Sequence, residues 1–332
     1  MEYIQKYLKY KKKYLELKNT LKPMKGGHPK TFRNMFRVPF TSVEFSPDGQ
    51  YLVTGTDYSV KIWSVETGED VRTLIGHFRE IRSVGFSRDG KYVVSGSDDK
   101  NIKIWFWSEG RLVTTLEGHT GGVRSVAFSS DPDRQFVVSG SSDESVRIWS
   151  KGSPVKILLG HTREVTSVAF SHDNRYVVSG SNDMSIKIWL TNTGVILLTL
   201  MGHASPVWSV AFSSDDRYIV SGSGDMSIKI WLTDTGNVVK TLTGHTGIVM
   251  SVKFSNDGKY IVSGSDDKSV KIWSTETGDV VKTLTGHVNL VRSVGFSPDD
   301  EYVVSGSYDG YMMIWNDTPK AEIKKLQLQQ PY

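Results

Sequence analysis

Residues 76–105 read GHFREIRSVGFSRDGKYVVSGSDDKNIKIW. Apolar and polar side chains alternate from Ser83 to Ser87, and a turn follows at Arg88-Asp89-Gly90-Lys91. The β-branched run YVVSGS then meets a tight turn at Asp98-Asp99, after which Asn101 leads into Ile102-Lys103-Ile104-Trp105. Period-two alternation bounded by Asp-rich turns is the pattern of successive antiparallel strands. The same order returns along the chain. Gly-His dipeptides begin at Gly76, Gly118, Gly160, Gly202, Gly244 and Gly286, always 42 residues apart. Ile-Trp dipeptides end at Trp63, Trp105, Trp149, Trp189, Trp231, Trp273 and Trp315, at intervals of 42, 44, 40, 42, 42 and 42. A Thr-Gly turn then introduces a fourth short segment, as in Val280-Val281-Lys282-Thr283-Leu284. Four strands per unit and seven units predict an all-β, seven-bladed propeller.

Composition agrees with a single large β domain. Of 332 residues, 38% are hydrophobic and 23% charged, enough apolar surface for a substantial core. No cysteine is present, which excludes disulfides, thiolate metal sites and a cysteine nucleophile and suits an intracellular, reducing compartment. No apolar run reaches the length of a membrane-spanning helix, and the lysine-rich N-terminus lacks the apolar stretch of a secretory signal. The net charge of +4 conceals an asymmetry. Residues 1–37 carry eleven Lys and Arg against Glu2 and Glu16, a net of +9, and the remainder carries a net of −5. Attraction to nucleic acid or an anionic surface is therefore expected first in the N-terminal arm, through residues 1–25.

Six repeats contain a His, a Ser, an Asp and a Trp at matching places. They are His77, Ser95, Asp99 and Trp105; His119, Ser139, Asp143 and Trp149; and His161, Ser179, Asp183 and Trp189. The series continues with His203, Ser221, Asp225 and Trp231; His245, Ser263, Asp267 and Trp273; and His287, Ser305, Asp309 and Trp315. Ser, His and Asp are the constituents of a hydrolase triad, but an active site occurs once and this set occurs six times. The strained G-x-S-x-G elbow is missing as well. A structural role is the better reading. No catalytic residue, metal ligand or cofactor is assigned.

With GH, about 28 intervening residues and IW at fixed spacing, residues 30–315 closely resemble the WD40-repeat family. The resemblance implies a buried hydrogen-bonded chain in each blade, from Trp to Ser to His to Asp, and a role in holding other macromolecules. The first repeat departs from the pattern: Asn34-Met35 stands in place of Gly-His, and Thr54-Gly55-Thr56-Asp57 is one residue short before Trp63. Its network should be incomplete and its blade the softest. The third repeat has two extra residues near Asp131-Pro132-Asp133. The family often closes its ring with an N-terminal strand. Lys25–Phe32 aligns with Thr277–Leu284 and is the favoured closing segment, with Glu322–Leu326 as the alternative. The expected layout is a leader at 1–22, a linker and closing strand at 23–37, the propeller at 38–316 and a tail at 317–332.

The resemblance also places the residues that flank each buried apolar position after Gly-His around the upper mouth of the ring. These include Pro39, Thr41, Glu80, Arg82, Gly122, Arg124, Glu164, Thr166 and Pro206. Trp208, Ile248, Met250, Leu290 and Arg292 complete the set, with Met184 and Met226 just past the tight turns. Trp208, Met226, Ile248, Met250 and Leu290 make an apolar arc, and Arg82, Arg124 and Arg292 a basic one. Trp and Arg dominate interface hot spots, so an acidic or phosphorylated peptide with an apolar anchor is the expected partner. The aspartates of the opposite face, Asp48, Asp89, Asp131, Asp173, Asp215, Asp257 and Asp299 with Asp133, Asp216 and Asp300, fit turn geometry better than metal binding.

Residues 1–22 predict a basic amphipathic helix. Tyr3, Tyr7, Tyr10, Tyr14, Leu17 and Leu21 alternate at spacings of four and three, and Lys9 to Lys13 lie on the polar side. Such a helix can dock on membranes, nucleic acid or partner helices. The leader resembles leaders of proteins from giant amoebal DNA viruses of the mimivirus type. That resemblance implies a virus factory or virion location.

Overall fold

The computed structural model describes residues 29–33, 38–131, 136–150, 152–316 and 318–320. These form seven four-stranded antiparallel sheets arranged as the blades of a propeller. Blade 2 is representative: Ile81–Phe86 lies innermost, followed outward by Tyr92–Ser97, Ile102–Phe106 and Arg111–Leu116. The sixfold Gly-His period and the sheet order agree because each repeat supplies one blade. The leader at 1–22, the loop residues 132–135 and the tail from 321 lie outside the described residues.

Blade 7 is built from both ends of the ring. Its outer strand is Lys30–Arg33, which pairs with Tyr311–Trp315 so that Lys30 faces Ile314, Thr31 faces Met313 and Phe32 faces Met312. Lys282, Thr283 and Leu284 face the corresponding residues of blade 6 in the same register. The Lys30 ammonium donates to the carbonyls of Val65 and Glu66 in blade 1, which ties the closing strand to the next blade. Residues 322–326, the other closing candidate, lie outside the described residues.

The core sits between blades rather than within them. Val178, Ile186, Ile188 and Leu200 of blade 4 pack against Val207, Val210, Phe212, Ile219 and Trp231 of blade 5. Equivalent clusters fill the other junctions. At each junction the glycine of the Ser-Gly-Ser run lets the sheets close up. A Cβ on Gly222 would stand 2.7 Å from Val249 Cγ1, and one on Gly140 2.6 Å from Val165 Cγ1. Closer to the axis, a ring of serines stitches the innermost strands together. Ser42, Ser83, Ser125, Ser167, Ser209, Ser251 and Ser293 each accept the N–H of a valine in the next blade, at 3.0–3.2 Å. The last of these, Val43 N–H to Ser293, joins blade 1 to blade 7 and completes the circle.

On the lower face the turn aspartates have two separate tasks. Asp89, Asp173, Asp215, Asp257 and Asp299 each accept a serine hydroxyl and hold their own turn. Asp216 and Asp300 instead take the left-handed position, at φ 58° and 60°. The Asp216 carboxylate receives the backbone N–H groups of His172 and Asp173, and Asp300 those of Asn256 and Asp257. Each turn is thereby bonded to the preceding blade. Gly49, Gly90 and Gly258 occupy the same turn position without a side chain and make no such link.

Gly222→Ala tests the junction. The added methyl must displace Val249 or spread the two blades, and overpacking of this kind costs about 1–3 kcal/mol. A lower urea midpoint with an unchanged slope is the expected result. A midpoint equal to that of the native chain would show that the junction has slack.

Candidate functional site

Two constellations stand out, one buried and repeated, the other exposed and single. In the buried one, the second strand of a blade supplies the Ser, the third strand the Trp, and the tight turn between them the Asp. The Gly-His loop brings in the His. In blade 5 the Trp231 indole N–H lies 2.8 Å from Ser221 Oγ, which is 2.7 Å from His203 Nε2, and His203 Nδ1 is 2.8 Å from Asp225 Oδ2. The same chain joins the assigned residues of blades 2, 3, 4, 6 and 7. Proton positions follow from the partners: the carboxylate must accept, so His Nδ1 donates and Nε2 accepts from the serine.

This arrangement matches a hydrolase triad bond for bond, but its surroundings differ from those of an active site. All six serines are fully buried, and each Oγ already accepts an indole N–H. In blade 1 the described residues include the first link, Trp63 to Thr54 Oγ1 at 2.9 Å. Asn34 and Met35 lie outside the described residues.

The tetrad aspartates are held low in pKa. Burial alone would raise Asp225, but the Ser227 hydroxyl, the Ala204 N–H and the His203 ring outweigh it and bring the carboxyl to about 2. Asp99, Asp143, Asp183, Asp267 and Asp309 are lowered against the same burial, chiefly by their histidines. Burial lowers His203, and Asp225 offsets only part of that effect.

The exposed constellation surrounds the upper mouth. In blades 2 to 7 the register of the first two strands slips at one residue. Val207 faces Ser223 and Ser209 faces Gly222, leaving Trp208 as the extra residue of a bulge. Arg82, Arg124, Thr166, Met250 and Arg292 hold the same position in their blades. A bulge re-aims the side chain it carries, and here it presents six side chains at the mouth.

These six residues fall into two halves. Arg82 donates from Nε and Nη2 to Asp98, at 2.9 and 2.6 Å, and from Nη1 to Glu80 at 2.9 Å. Arg124 donates from Nη1 to the other oxygen of Asp98 at 2.9 Å and from Nε to Glu164. Glu164 also receives the Ser142 hydroxyl and the Asn182 amide. Two members of the sequence-read basic arc are thus spent on a chain of charges across blades 2, 3 and 4. The third differs. Arg292 lies over the Trp208 ring, 5.4 Å from its centroid, with Nη1 3.2 Å from the Met250 sulfur. Among the described residues no carboxylate pairs with it.

Trp208 is half-buried, as are Ile248, Met250 and Leu290, whereas Met184 and Met226 are exposed on turns at φ 68° and 67°. Gly224 explains the seat of the indole. A Cβ there would stand 3.6 Å from Trp208 Nε1, and the other blades carry Asp98, Ser142, Asn182, Asp266 or Tyr308 at this place. The sequence reading missed Asp98, Glu164 and Gly224 as partners of the bulge residues. The available signal was that the residue before the tetrad aspartate varies between repeats while its neighbours do not.

Among the described residues no group of His, Asp or Glu could hold a metal ion, and no helix is long and apolar enough to cross a membrane.

Comparison with known proteins adds a family match and several partial relatives. The family model for the WD domain, G-beta repeat matches residues 29–64, 68–105, 110–150, 152–189, 194–231, 236–274 and 278–316. The chain is similar to the periodic tryptophan protein 2 homolog of Schizosaccharomyces pombe, at 36% identity over 75 residues, 22% of this chain and 9% of that protein. It is similar to pre-mRNA-processing factor 19 homolog 2 of Arabidopsis thaliana, at 38% over 63 residues, 19% of this chain and 12% of that protein. A third relative is the nuclear distribution protein PAC1 of Arthroderma otae, at 38% over 74 residues, 22% of this chain and 16% of that protein. The chain therefore matches only a small part of each relative.

The tetrads set a pH signature. Depressed aspartate pKa values contribute stability above the unfolded value near 3.8 that is lost as pH falls toward the folded value. A depressed histidine contributes stability above its unfolded value of 6.5 that is lost on acidification. The urea midpoint should dip modestly below about pH 6.5 and collapse below about pH 4. A midpoint that stays level down to about pH 3 would contradict the assignment.

Proposed function

This chain belongs to the WD40-repeat family, and we propose that it is a non-catalytic interaction scaffold whose upper mouth docks an anionic peptide with an apolar anchor. One observation carries the reading: the mouth is asymmetric. Blades 2 to 4 close their charges on one another, whereas blades 5 to 7 present Trp208, Met250 and Arg292 as a half-buried patch. Aromatic and Arg side chains at the centre of a concave, rigid face are the residue types that anchor partners. The six buried tetrads support the scaffold reading from the other side, since their nucleophile-like atoms are occupied and their repetition serves stiffness.

The net charge of +9 over residues 1–37 supports a separate property, an electrostatic tether to nucleic acid or an anionic surface. The leader's resemblance to giant-virus proteins bears on place, a virus factory or virion, and not on what the mouth holds.

A random peptide library displayed on phage and selected on the full chain tests the docking reading. Selected peptides should bind Trp208→Ala at least about ten-fold more weakly, as loss of a hot-spot side chain predicts. Deleting residues 1–25 should leave their affinity unchanged. Peptides that bind Trp208→Ala as tightly as the native chain would place the docking surface elsewhere.

A further inference from the structure

Building on the upper-mouth reading, we infer that the group received by Arg292 and Trp208 is a single carboxylate flanked by an apolar side chain, and not a phosphoryl group. The first ground is an imbalance of donors. Arg292 is partly withdrawn from water, yet among the described residues its guanidinium touches an indole face and a thioether, with Tyr308 and Glu80 acting on it through space. Neither contact is a full counter-charge, and a guanidinium fork fits a planar carboxylate with two parallel hydrogen bonds. The Trp208 indole N–H likewise has no acceptor among the described residues. A guanidinium that lacks a carboxylate and lies over an indole whose N–H has no acceptor describes an anion seat.

The second ground is the charge already at the mouth. Arg82, Arg124 and Arg292 face Glu80, Asp98 and Glu164, so the described cluster is neutral. Arg82 and Arg124 cannot turn to a ligand without leaving Asp98 or Glu164 unpaired, a costly exchange for half-buried ions. One cation is therefore available. With the cluster already neutral, a monoanion leaves one excess negative charge at the mouth, whereas a phosphoryl dianion leaves two close to Glu80. Burial lowers the pKa of Arg292 most; Arg82 and Arg124 add to that, and Tyr308 and Glu80 oppose it without outweighing it.

The third ground is the surroundings. Ile248, Met250 and Leu290 give the seat a half-buried apolar border, which suits a neighbouring apolar residue of the same peptide.

Four defined probes separate the possibilities by nuclear magnetic resonance of the full chain, read at the Trp208 indole N–H and assigned with Trp208→Phe. They are Ac-Gly-Leu-Glu-Leu-Gly-NH2, its Gln and phosphoserine counterparts, and Ac-Gly-Gln-Leu with a free C-terminal carboxylate. The Glu peptide should bind about ten-fold or more tightly than the Gln peptide, and more tightly than the phosphoserine peptide. Arg292→Gln should bring the Glu-to-Gln ratio close to one. Binding of the fourth probe assigns the carboxylate to a chain end, and its failure beside a responsive Glu peptide assigns it to an acidic side chain; both support the inference. A phosphoserine peptide that binds as tightly as the Glu peptide overturns it. So does a ratio that survives Arg292→Gln, or no response to any probe. If library peptides depend on Trp208 while these results fail, docking at the mouth stands and the carboxylate assignment alone is lost. If library peptides ignore Trp208, the docking reading falls first.

Discussion

Where blade 5 passes blade 6, the Cα of Gly222 comes so close to Val249 that no larger residue fits without movement. The same contact recurs at Gly96, Gly140, Gly180 and Gly264, each against a valine of the following blade. This separation sets the wedge angle between sheets, and the wedge angle sets how many blades complete a circle. The serine ring depends on it as well, because a hydroxyl bonds the neighbouring strand only while that strand lies within about 3 Å. Tight apposition is also what buries the Trp, Ser and His of each tetrad. A blade moved outward would admit water to groups whose partners are now arranged for a dry interior.

A closed ring of this kind leaves little freedom for recognition. The junctions cannot vary without changing the circle, and the tetrads cannot vary without orphaning a buried donor. What remains free is the bulge residue at the top of each inner strand and the turn residue opposite it. The bulge is itself a product of the ring: it carries one side chain away from the sheet and toward the axis while the flanking valine and serine keep their inter-blade contacts. Frame and mouth are thus decoupled at a single residue per blade. Across blades 2 to 7 this place holds Arg, Thr, Trp or Met, and only Thr166 turns back to the frame, donating to the carbonyls of Gly180 and Val207.

Particular residues show how far the sequence reaches. The intervals between Trp63 and Trp315 fix the number of blades, because a repeat that cannot bury its own faces must stack on a copy of itself. The tetrad residues were legible for the same reason: their spacing repeats with the blade. Arg82 and Arg124 were legible as charges but not as spent charges. Their partners, Asp98 and Glu164, lie 16 and 40 residues away and meet them only across the mouth. Gly224 was harder still, since it acts by what it lacks. Asp216 reads as an ordinary turn residue until the preceding blade brings the N–H groups of His172 and Asp173 to its carboxylate. Periodic features are local and can be counted. Features that join blade to blade at non-repeating positions require the ring.

The comparison between tetrad and mouth sharpens what a site is in a repeat protein. Six Ser–His–Asp chains have the distances of a catalytic machine and no access to solvent at the serine. Each is complete: every donor has its acceptor, and the arrangement holds a turn against a strand. Arg292 and Trp208 are the reverse: at an opening, the guanidinium meets only a thioether and an indole face and no carboxylate of the described chain pairs with it. In a frame whose tetrads are satisfied within each blade and whose inner serines are satisfied between blades, a half-buried guanidinium without a carboxylate stands apart. Chemistry that the ring completes for itself maintains the ring, and chemistry that it leaves open faces a partner.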